Sequence, residues 1–153
     1  MKTLRKSKGF SLIELLVVIA IIGVLSAVGI TAYTGYTASA KEQASRTQFA
    51  QMVSLVNAEA AKCGLGSGTY AWGGDCSAAW TGTAVASHMH SNLGMKNPYN
   101  NSEAGGTTFA NVATIADPTV EGQTKIFANS TQIEIRTLVK TGTTLAQIIT
   151  KSN

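Results

Sequence analysis

Few side chains in this sequence of 153 residues have the type and the setting to do chemistry. Glu14 stands out as the only charged residue between Phe10 and Ile30. A carboxylate inside an apolar span costs on the order of 2.5–3.5 kcal/mol on insertion scales, so it persists by finding a partner or by lying near the headgroups. Charge pairing is the chemistry it offers. The two cysteines, Cys63 and Cys76, bracket the glycine-rich string CGLGSGTYAWGGDC. In an exported chain a disulfide is the natural assignment, and closing a loop of this size contributes about 3 kcal/mol in the chain-entropy model. Neither cysteine has a CxxC partner and His88 and His90 form an isolated HxH, which argues against zinc. Gly64, Gly66 and Gly68 lack the GK[ST] ending of a phosphate cradle. Both histidines fall in a mildly apolar, strand-like run, Ala84 to His90, and are expected at the surface. No nucleophile or acid–base pair with an orienting partner emerges, so the sequence predicts no catalytic, cofactor-binding or metal residue and no enzyme.

The element that carries Glu14 is long and apolar. As a helix rising about 1.5 Å per residue, Phe10 to Ile30 reaches roughly 30 Å, the thickness of a bilayer core. Ahead of it, Met1–Gly9 holds Lys2, Arg5, Lys6 and Lys8 and no acid, which keeps the N-terminus cytoplasmic and sends the rest outward. Those four account for the whole excess of 12 basic over 8 acidic residues, so the pI near 9.2 is a property of the head. With no basic stripe beyond it, charge does not indicate a nucleic-acid binder. A conventional secretory signal is the competing account, since Ala38-Ser39-Ala40 imitates its cleavage site. The apolar run is too long for that reading and contains Glu14.

The string Lys8-Gly9-Phe10-Ser11-Leu12-Ile13-Glu14-Leu15-Leu16 resembles the class III signal of type IV pilins and of the pseudopilins of type II secretion. The likeness combines a basic leader, a glycine at the cut, an aromatic first residue after it and a glutamate five residues into the helix; in detail it covers Lys8 to Tyr36. It implies cleavage by a prepilin peptidase between Gly9 and Phe10, N-methylation of Phe10, and a Glu14 that neutralises the Phe10 amine of a neighbouring subunit during assembly. Two buried opposite charges from different chains are costly apart and tolerable together, which would set the axial register of a filament. Thr31 stands where this family commonly has proline; threonine keeps the backbone donor that proline removes. Gly23, Gly29 and Gly35 each weaken the helix by ~1 kcal/mol relative to alanine, so local melting around Gly23 to Thr31 stays open. The partners implied are copies of the chain in a helical filament, the peptidase, the inner-membrane assembly machinery and inner-membrane lipid before assembly. Nucleic acid enters only through an assembled filament, and no cofactor is implied. The expected location is the bacterial inner membrane, single pass, and then the surface pilus. Alternatives are a type II secretion pseudopilin and, from another class, a membrane-anchored envelope module binding sugar or peptide through its strands and the Trp72 and Trp80 loop.

Beyond Ile30 the pattern turns amphipathic. Phe49, Met52, Val53, Val56 and Ala60 recur at helical spacing, while Lys41, Gln43, Gln48 and Gln51 take the other side. Lys62 and a left-handed Gly64 predict an end near Cys63. Strands are predicted at Thr107–Ala116, Thr124–Ala128, Gln132–Val139 and Thr144–Thr150, with Ile133, Ile135 and Thr137 inward against Gln132, Glu134 and Arg136. Asn97, Asn100, Asn101 and Glu103 lie in a turn-rich tract whose spacing matches no calcium loop. The fold predicted is α+β: a long N-terminal helix, transmembrane in its first half and amphipathic in its second, packed on a C-terminal antiparallel β-sheet, the pilin roll. The parts are a leader (1–9), an assembly helix (10–30), its amphipathic continuation (31–63), a disulfide loop and connector (64–106) and the sheet (107–153).

Overall fold

The computed structural model describes residues 9–66, 68–100 and 117–151, and 107–109 for their backbone. The basic leader up to Lys8, the strand tract 110–116, Asn101 and Glu103 lie outside the described residues. Two compact units, residues 1–38 and 39–153, divide the chain.

Helix α1, Leu12–Gly64, is 53 residues long. Its start is written in Ser11-Leu12-Ile13-Glu14: the Ser11 backbone N–H donates to Glu14 Oε2 at 2.8 Å, half of a capping box. No break occurs at Gly23, Gly29 or Thr31. The hydroxyls of Thr31, Thr34 and Thr37 instead donate to the carbonyls three residues back, at 2.9, 2.9 and 3.0 Å, leaving the helix ladder intact. In the first unit every large apolar side chain from Leu12 to Tyr36 is exposed. The apolar window there is long enough to cross a membrane and none of it is buried within the chain.

The helix ends one residue later than the sequence suggests. Gly64 is still helical, and the left-handed residue is Gly66 (φ 82°), whose N–H donates to Cys63 O at 3.0 Å. A glycine two positions further on serves the same steric need, and the basic last turn with Lys62 is as expected.

The second unit is built on a four-stranded sheet in the order β1 (Thr107–Phe109), β2 (Thr124–Ala128), β3 (Gln132–Lys140), β4 (Thr143–Thr150). β2, β3 and β4 form the antiparallel meander that the turn signals predict. β1 departs from it by pairing with β2 in parallel. Residues 110–123 separate the two strands, long enough for the crossover that a parallel pair requires. Along β3, Ile133, Ile135, Thr137 and Val139 are buried in strict alternation. The buried Thr137 hydroxyl pairs with that of Thr124 at 2.8 Å. At the β2–β3 turn Asn129 Oδ1 accepts from the N–H groups of Thr131 and Gln132, and the β3–β4 turn places Gly142 at φ 81°.

Met52, Val56 and Ala60, one row at i, i+4 and i+8 of α1, meet Ile126, Ile133, Ile135 and Ile149 of the sheet in the core. Phe49 and Val53, expected on the same face, flank that row and are only partly buried. The expected strand-like run Ala84–His90 is helical: α2 (Gly82–Ser87) continues into a π-helical turn, His88–Asn92. Gly82, Val85, Ala86 and Met89 are buried, and their i, i+3, i+4, i+7 spacing is the reason the segment coils rather than extends.

Gly82 lets α2 touch β2: a Cβ there would stand 2.7 Å from Ile126 O. Gly82→Ala is therefore expected to lower stability by about 1–3 kcal/mol through overpacking, read as a fall in the thermal midpoint of the full chain.

An exposed carboxylate clips the far end of the sheet. Glu121 Oε1 accepts from the Thr141 hydroxyl at 2.6 Å and its N–H at 2.8 Å, and these bonds hold the Glu121 carboxyl below its usual range. A depressed carboxyl contributes stability that is present above its unfolded value, about 4.3, and is lost as pH falls through the folded one. The thermal midpoint of the chain should thus drop on acidification below about pH 4–5, and Glu121→Gln should flatten part of that dependence.

Candidate assembly site and disulfide loop

Gly9, Phe10 and Ser11 precede the first helical turn and are all exposed, Phe10 to 88%. The peptide bond between Gly9 and Phe10 thus lies in exposed, non-helical chain. Glu14 is exposed in the first turn of α1. There its charge faces the positive end of the helix dipole as well as the Ser11 amide, interactions typically worth 0.3–1 kcal/mol. With Oε2 on that amide, Oε1 has no bond among the described residues. The geometry therefore gives Glu14 a local anchor through one of its oxygens. Ser11 was missed as part of this arrangement, although the S-x-x-E spacing announces it.

Cys63 and Cys76 are joined by a disulfide that ties the last turn of α1 to the loop after it. Around it, the buried Glu59 accepts the Ala71 N–H at 2.7 Å and the Lys62 ammonium at 3.2 Å. The Tyr70 hydroxyl donates to Cys76 O at 3.2 Å. The expected binding face around Trp72 and Trp80 does not form as such. Trp80 is only 2% exposed and belongs to the core, where its ring meets those of Tyr70 and Trp72 edge-on; Trp72 alone of the two reaches the surface. Asn97, in the turn-rich tract, is buried, donating to Glu121 O at 3.0 Å and accepting the Tyr99 N–H at 2.8 Å. His88 and His90 lie on the π-helical turn, and His90 Nδ1 is 3.3 Å from Met95 O. Among the described residues no three of His, Cys, Asp and Glu gather as a metal site.

A family model, the prokaryotic N-terminal methylation motif, matches residues 4–30. The N-terminal segment thus carries the class III signal of type IV pilins and pseudopilins, which supports a processed, pilin-type subunit. The motif implies cleavage by a prepilin peptidase and assembly into a pilus-type filament, and the apolar helix fits a membrane anchor before assembly. No curated protein and no solved structure matches the chain.

Proposed function

We propose that this chain is the structural subunit of a type IV pilus: cut after Gly9, methylated at Phe10, held in the inner membrane by residues 10–30 and then packed through α1 into a surface filament. The observation that carries the reading is the first unit, a helix whose large apolar side chains from Leu12 to Tyr36 are all exposed and whose one acid, at its start, has an oxygen with no bond among the described residues. Lipid covers that surface before assembly and copies of the helix cover it afterwards, an exchange driven by helix packing rather than by removal of apolar surface from water. The Phe10 amine of one subunit takes the Glu14 carboxylate of another. That pair specifies register more than affinity, because desolvating both charges offsets most of their attraction.

Deleting the gene tests the assignment. Loss of long surface filaments, with this chain mapped as peptides in filaments sheared from the parent cells, supports it. Unchanged filaments together with a defect in protein secretion would assign the chain to a type II secretion pseudopilus instead.

A further inference from the structure

The second unit carries a cleft of about 240 Å³ between Trp72 on the disulfide loop and one face of the α2–π-helix segment. Its polar lining is Ser87, His88, Ser91 and Asn92, spaced i, i+1, i+4 and i+5, while the opposite face of the segment, with Val85, Ala86 and Met89, is buried in the core. Ser87, Ser91 and Asn92 are exposed and His88 is half-buried. The π-helical turn that sets Ser91 and Asn92 is a rare geometry that occurs frequently at functional sites. Across from them, Trp72 lies at 5.1 Å and 9° on Tyr70, a stacked pair that fixes the indole and leaves it half-buried at the cleft wall.

We propose that this cleft binds a single neutral pyranose ring of a hexose or N-acetylhexosamine, with the exposed part of the Trp72 indole against the C–H face of the sugar and Ser87, His88, Ser91 and Asn92 bonding its hydroxyls. Three features select that ligand. Hydroxyl, amide and imidazole groups supply both donors and acceptors, which vicinal sugar hydroxyls need. The volume lies below the 300–1,000 Å³ of pockets for drug-sized molecules and suits one ring. Among the described residues no Lys, Arg, Asp or Glu lines the cleft, so a nucleic-acid strand stacking on Trp72 would leave its phosphates unneutralised there.

The test uses the full chain in a detergent without a sugar headgroup, titrated with the methyl glycosides of glucose, galactose, mannose, N-acetylglucosamine and N-acetylgalactosamine. Tryptophan fluorescence and saturation-transfer NMR are the readouts. At least one glycoside should saturate at millimolar concentration with its ring protons receiving saturation. Trp72→Ala should weaken it at least tenfold, with Trp72→Phe retaining part of the affinity. Because Trp72 also supports Tyr70, Asn92→Trp is the companion variant: it fills the cleft from an exposed position and should abolish binding with the circular dichroism unchanged. Absence of saturation by all five glycosides, binding indifferent to Asn92→Trp, or Trp72-dependent binding of oligothymidylate in their place would each overturn the proposal.

Discussion

Glu14→Gln is expected to cut filament yield at least tenfold while leaving the chain processed, membrane-held and folded in its second unit. The choice of glutamine separates two roles that alanine would remove together. Its side-chain oxygen still accepts the Ser11 N–H, so the start of α1 keeps its cap, whereas the negative charge is gone. If the carboxylate answers a neighbour's amine, the variant leaves that amine buried without a counter-charge, a defect worth about 3–5 kcal/mol in buried pairs. Each 1.4 kcal/mol is about tenfold in an equilibrium constant, so the loss of polymer should be near complete. Glu14→Ala should then do no worse than glutamine by more than the ~1 kcal/mol of a lost cap. Yield is read from sheared filaments by immunoblot, with the membrane fraction as the control for expression. Normal filaments from Glu14→Gln would reduce Glu14 to a helix cap.

The second large effect concerns the Cys63–Cys76 bridge. Replacing both cysteines by serine should lower the stability of the full chain by about 3 kcal/mol, the loop-closure contribution for a ring of this size. For a unit of this length that corresponds to a fall of roughly 10 °C in the thermal midpoint. The bridge closes 13 positions of sequence that hold Gly64, Gly66, Gly68, Gly73 and Gly74, a stretch whose unfolded freedom is large. Local bonds remain in the reduced loop, among them Cys76 N–H to Gly68 O at 3.1 Å and the Ala71 amide to Glu59. They hold the folded loop but do not restrict the unfolded chain, so they do not replace the covalent constraint. Calorimetry of the oxidised and double-serine proteins at one pH gives the difference; equal midpoints would contradict it.

The physical reasons for what the sequence reveals differ from element to element. α1 is legible because apolar length and a basic head are local signals, and the β3 alternation is legible because a strand with one buried face needs a period of two. Segment 84–90 is misread because its period becomes visible only once Gly82 is counted with Val85, Ala86 and Met89, and a glycine does not register as an apolar anchor. Gly82 matters through a close approach to Ile126 O, a contact made across more than forty positions of chain. The parallel pairing of β1 is non-local in the same sense. Trp72 and Trp80 have identical side chains eight positions apart, and only packing separates the core indole from the surface one. At the assembly site the resemblance supplied Gly9, Phe10 and Glu14, while the Ser11 cap stood in plain view as S-x-x-E and was overshadowed by the charge.

Intact-mass and N-terminal fragment spectra of the subunit in sheared filaments test the central claim most directly. The account predicts a chain beginning at Phe10 and heavier by one methyl group on its amine. Filament-borne chain that still begins at Met1, or that begins at Lys41 after a conventional signal cut, would contradict it.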